Sequence, residues 1–174
     1  MTSLSLHEPV MELIRAALDP AAEEVCTRRD SPVCQVVIRT AEADLAAGGL
    51  DHVNHLAIGV GVAAAGLTSW LAQERKLEPT AILAEIEREA SGRGAQAHAV
   101  TMLRTLLTGP PGMQQTAEFM VRLFHDDEEA YYDLIVDLGS YIAVCIGMLH
   151  RLGISSPEQT LDDLTGMLQG FYTA

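Results

Sequence analysis

The sequence predicts an all-α, single-domain bundle of about eight or nine helices around two long central ones. Three observations predict it. Polar-proline pairs recur where helices would begin, apolar residues recur at helical spacing between them, and hydrophobic residues make up 48% of the 174 positions while aromatics make up only 5%. A core poor in aromatic rings is filled by Leu, Val, Ile, Ala and Met, which suits helices packed closely on one another. A chain of this length buries about two-thirds of the surface its unfolded form exposes, so it needs no metal or disulfide to fold.

Proline at the first helical position forfeits no hydrogen bond and arrives with φ preset. Asp19-Pro20, Ser31-Pro32, Glu78-Pro79 and Ser156-Pro157 therefore mark starts; Gly48-Gly49, Gly92 with Gly94, Gly109 and Gly153 mark stops. The spacing predicts helices over 8–18, 20–28, 32–47, 51–76, 79–91, 95–108, 113–124, 127–152 and 157–171. At the last start, Ser156 as N-cap and Gln159 three residues on form a capping box. Cys34 to Arg39 (CQVVIR) is the one strand-like run, but a lone strand makes no sheet and its flanks cap as a helix.

Helices 51–76 and 127–152 are each about 39 Å long at roughly 1.5 Å per residue. Both are apolar through their middles, so they are expected to be central and to pack directly on each other. Glycine inside a helix costs about 1 kcal/mol relative to alanine, and losing the Cβ lets two axes approach. Gly61 and Gly139 are therefore expected at or near the closest approach of the long pair.

Residues 32–91 also match 110–170. At a shift of 78, Pro32 meets Pro110, Leu56 meets Leu134, Gly61 meets Gly139 and Pro79 meets Pro157, while Thr40-Ala41-Glu42 meets Thr116-Ala117-Glu118 at 76. Two copies would give a bundle with approximate two-fold symmetry, with residues 108–112 as the seam.

Lys plus Arg total 11 against 24 Asp plus Glu, a net charge of −13. That surface repels a phosphate backbone and excludes nucleic acid as a partner. Residues 123–174 hold nine acids (Asp126, Asp127, Glu128, Glu129, Asp133, Asp137, Glu158, Asp162, Asp163) and the single base Arg151, a face open to a basic protein or simply solvated. Leu56 to Ala72 runs 17 residues without a charge, the lower limit of about 17 for a membrane span. Its Ala and Gly gain little in lipid, so it reads as a buried core helix and no membrane is expected. Cys26, Cys34 and Cys145 form no CxxC pair, and with a start (MTSLSLHEPVMEL) unlike a signal peptide they point to a reducing cytoplasm. Cys145, in an apolar run, is expected to be buried and unbridged.

Gly59-Val-Gly61-Val-Ala-Ala64 satisfies the G-x-G-x-x-A pattern of dinucleotide turns, but that motif needs a strand before it and another about 20 residues on, where KLEPTAIL begins a helix. Small residues that admit a neighbouring helix explain it better. The stronger candidate lies where the long helices begin, at Asp51-His52-Val-Asn54-His55 and His125-Asp126-Asp127-Glu128-Glu129. His52 and His55 share a helical face at a spacing that suits one divalent transition metal, and His125 with Asp126 and Glu129 could do likewise. Acids at a helix start also cap free amides without any ligand, and the Glu-x-x-His pairing of di-iron bundles is absent. Antiparallel long helices would hold the two sets apart; a parallel arrangement, a dimer interface or shorter helices crossing over would bring them together. Tyr131 and Tyr132 are adjacent, so at least one points away from the core as an interface anchor.

With no hydrolase, metalloprotease, P-loop or EF-hand pattern, the residues favour a non-enzymatic binding or regulatory module acting as a homodimer, with no cofactor. A His/carboxylate metal protein and a small apolar-ligand binder are the alternatives.

Overall fold

The computed structural model describes residues 5–19, 31–49, 51–90, 97–107 and 110–173. Their regular elements are all helices: α1 (His7–Leu18), α2 (Pro32–Ala47), α3 (Asp51–Arg75), α4 (Pro79–Ala90), α5 (Ala97–Leu106), α6 (Pro110–Asp126), α7 (Glu128–Arg151) and α8 (Pro157–Thr173). The all-α bundle is thus observed. The helix expected over 20–28, Cys26, and the stops at Gly92, Gly94 and Gly109 lie outside the described residues.

Local chemistry sets the boundaries. Ser31 Oγ accepts from the Cys34 amide at 3.1 Å, with Pro32 opening α2, and CQVVIR continues it as helix. Gly48 (φ 78°) and Gly153 (φ 70°) take the left-handed conformation that ends α2 and follows α7. Ser156 Oγ accepts from the Gln159 amide at 3.2 Å, but the Gln159 side chain reaches forward to Asp163 Oδ1 at 3.0 Å, so only half of the capping box forms. Helix α6 starts at Pro110, earlier than the apolar spacing predicts, because proline is free to open a helix three residues before its first amphipathic position.

Helices α3 and α7 pack directly on each other at the centre. Near their starts the Tyr131 hydroxyl donates to Asn54 Oδ1 at 2.7 Å. Further along, Thr68 donates its only hydroxyl proton to the Ala64 carbonyl at 2.7 Å, so the Tyr141 hydroxyl, 2.6 Å from Thr68 Oγ1, is the donor between them. The two contacts occur in the same order along both helices, which therefore run parallel. Thr68 and Tyr141 are buried, and a buried hydroxyl without a partner costs about 1–3 kcal/mol. This bond consequently fixes register as well as contributing attraction. Cys145, one turn beyond Tyr141, is fully buried and free as expected, and burial pushes its thiol pKa far up.

The groups nearest to Gly61 and Gly139 belong to short helices rather than to the other long helix. A Cβ on Gly61 would sit 2.5 Å from Met102 Cε of α5, and one on Gly139 would sit 2.7 Å from Leu13 Cδ2 of α1. Each glycine thus seats residues of a short helix, α5 on α3 and α1 on α7. Gly59, in mid-helix rather than in a phosphate-binding turn, makes room for the Tyr172 hydroxyl and Val10. Both α3 and α7 are long and apolar enough to cross a membrane, yet 61% of the most apolar stretch of each is buried inside the bundle.

Two glycine substitutions should move stability in opposite directions. Gly61→Leu overpacks the α5 seat and should cost about 1–3 kcal/mol. Gly166 is exposed within α8 with nothing near its absent Cβ, so Gly166→Ala should add about 0.5–1 kcal/mol. Denaturant midpoints check both, and a shift of the same sign in the two variants would contradict the assignment of these contacts.

Candidate functional site at the shared end of the long helices

Because α3 and α7 run parallel, their N-terminal ends lie together, and the residues singled out on each gather at one end of the bundle. The organising group is Asp44 of α2, only 2% exposed. Its Oδ1 accepts the His52 amide at 2.9 Å and its Oδ2 the Val53 amide at 2.8 Å, so a carboxylate from another helix caps two free amides at the start of α3. Oδ1 also meets His52 Nδ1 at 2.7 Å. Burial raises the Asp44 pKa, but the Val53 and His52 amides and the His52 ring together outweigh it, leaving the value below the ordinary 3.8. An ionised Asp44 can only accept, so His52 Nδ1 donates to it, and Nε2 of the half-exposed ring is left out of this contact.

His55 is held differently. Its Nδ1 meets the Asp51 carbonyl at 2.6 Å, and its ring lies 6.3 Å from that of Tyr172 on α8, whose hydroxyl donates to the His55 carbonyl at 2.5 Å. Burial pushes Tyr172 up to about 12. Tyr131 is buried, edge-on to Phe124 at 5.4 Å, and its phenol is raised first by burial, then by Tyr132 and Asp44. It is spent inside the chain, so of the two anchor candidates only Tyr132 remains partly exposed, donating to Glu128 Oε1 at 3.2 Å.

Asp127 caps α7, its side chain accepting from the Ala130 amide at 3.1 Å. His125, Asp126 and Glu129 are exposed around it, His125 and Asp126 in the last turn of α6 and Glu129 in the first turn of α7. The parallel helices thus bring both histidine sets to the same end, but His52 turns to α2 and His55 to Tyr172. Among the described residues no group of three or more His, Cys, Asp or Glu side chains is placed to hold an ion. The arrangement offers a polar rim with two fixed imidazoles rather than a closed ligand shell.

Asp44 was the group missing from the sequence reading. It follows Val33, Val36 and Val37 on the inward face of α2, and a lone carboxylate on an apolar helical stripe was the signal for it.

Asp44→Ala should cost about 1–3 kcal/mol at neutral pH through two orphaned amides. Since the folded pKa lies below the unfolded one, the contribution is complete above about pH 4 and is lost as pH falls through the depressed folded value. The stability gap between native chain and variant should therefore stay flat down to about pH 4 and close below it. Denaturant titrations across this range check it; a gap that already changes between neutral pH and about 5, or that persists unchanged well below about pH 3, would contradict it.

Comparison with family models, with curated proteins and with solved structures finds no match for this chain.

Proposed function

We propose that the chain is a helical binding module that works through its surface as a homodimer and catalyses no reaction. The observation that carries this reading is the outer stripe of α2. Leu45 is 83% exposed and Ile38, two turns before it on the same face, is 37% exposed. Arg39 and Glu42 lie exposed between them, giving this stripe one charge of each sign in a chain whose net charge is −13. A second copy laid antiparallel on it would cover Leu45 and Ile38 and bring Glu42 near Arg39, whose guanidinium also holds Glu12 of its own chain, a self-complementary arrangement of the kind a two-fold interface requires. The acids at the other end of the chain suit a basic protein partner, an attraction that salt would weaken. The free, buried Cys34 and Cys145 agree with the cytoplasmic location proposed here.

One observation favours a metal-binding reading as a second choice. His52 and His55 each place Nδ1 against an oxygen acceptor, the second-shell arrangement that leaves Nε2 available to a divalent transition metal. Stoichiometric zinc uptake by calorimetry, abolished in His52→Ala, would promote it over the first.

Sedimentation equilibrium tests the homodimer. The native chain should give twice 18.7 kDa, and Leu45→Glu should give a folded monomer with an unchanged helical spectrum. A monomeric native chain, or a Leu45→Glu variant that still pairs, would remove this interface.

A further inference from the structure

The neighbours of each helix follow a rule. Helix α1 packs on α2, α3, α7 and α8, and α5 packs on α6, α7, α3 and α4. Adding four to each label, and counting around from α8 to α1, turns the first set into the second. The same operation carries α2–α3 to α6–α7, α3–α4 to α7–α8 and α4–α7 to α8–α3, and it maps the central α3–α7 contact onto itself. The one departure is α2, which lies along α7 without a counterpart of similar extent between α6 and α3. Parallel α3 and α7 are what a two-fold axis running between them, along their length, demands.

Burial supplies a second, independent register. At a shift of 78, ten of the twelve buried residues of α3 land on buried residues of α7, the exceptions Gly59 and Ala72 landing on Asp137 and His150. At a shift of 89, the four buried residues of α1 (Val10, Met11, Leu13, Ile14) land on Ala99, Val100, Met102 and Leu103, all buried, and exposed Arg15 lands on exposed Arg104. The difference between the two shifts falls in the connection from α1 to α2, longer than that from α5 to α6. The glycine seats complete the pattern crosswise. Gly61 of α3 receives Met102 and Leu106 of α5, and Gly139 of α7 receives Leu13 and Ala17 of α1, each pair one helical turn apart.

We infer that the chain is two copies of one four-helix unit, α1–α4 and α5–α8, interlocked about this axis, so that the surface of each unit is shaped to receive a second copy of the same unit. The leading helix of each copy is seated on the long helix of the other, and neither copy buries its own core alone. This inference extends the repeat to α1 and α5 and rests on the fold, not on the homodimer proposed above.

The test exchanges equivalent segments in the full chain. Val10–Leu18 and Ala99–Leu107 are swapped in register in one variant and displaced by two residues in another, which turns the buried faces outward. The in-register chain should melt cooperatively and well above the displaced one. A milder pair, Leu13→Met with Met102→Leu, exchanges only the residue nearest to each glycine and should melt within about 4 °C of the native chain. An in-register graft as damaging as the displaced one, or a milder pair that loses the cooperative transition, would overturn the inference.

Discussion

The parallel contact of α3 with α7 is the constraint on which the rest of the molecule depends. Two long apolar helices could slide along each other by a turn with little change in buried area, because the hydrophobic effect is not directional. The Tyr141–Thr68 bond removes that freedom: a Tyr141 hydroxyl slid away from Thr68 would be left in the core with no water to turn to. Asn54 and Tyr131 fix the same register near the other end of the contact. With the pair locked, the glycine seats on α3 and α7 have defined positions, and α1 and α5 follow from them.

The polar end grows out of the same geometry. Parallel helices place two helix N-termini side by side, where unpaired amides and aligned peptide dipoles call for negative charge. The chain answers in two ways. Asp127 caps α7 locally, whereas α3 is capped by Asp44 reaching across from α2 and holding His52 as it does so. Under the proposed duplication, Asp44 meets Met120 at a shift of 76 and His52 meets Ala130 at 78. In the two-unit arrangement proposed above, the Asp–His pairing would belong to the first unit only.

Much of the fold was legible in the sequence because helix ends are set by local chemistry. Pro32, Pro79 and Pro157 open helices wherever they fall, and Gly48 and Gly153 supply the left-handed residue past an end. The partners of those helices were not legible. A glycine such as Gly61 announces that something comes close, but not whether α7 or α5 does, since both pack on the same helix. Asp44 stayed hidden for a related reason: its partners lie eight and nine residues away across a turn, at a distance no periodicity encodes. The histidines and acids at 52, 55, 125, 126 and 129 were legible as residue types. Their convergence at one end depended on the direction of α7 relative to α3, which three intervening helices determine.

Native-state hydrogen exchange tests the central claim most directly. If the α3–α7 pair is the frame on which everything else is hung, the amides from Leu56 to Leu71 and from Leu134 to Leu149 should be the slowest in the molecule, with one common opening free energy equal to that of global unfolding. The amides of α2 and α6, each with one face in solvent, should open earlier. Slowest exchange in a peripheral helix, or α3 and α7 opening with clearly separate free energies, would contradict the account.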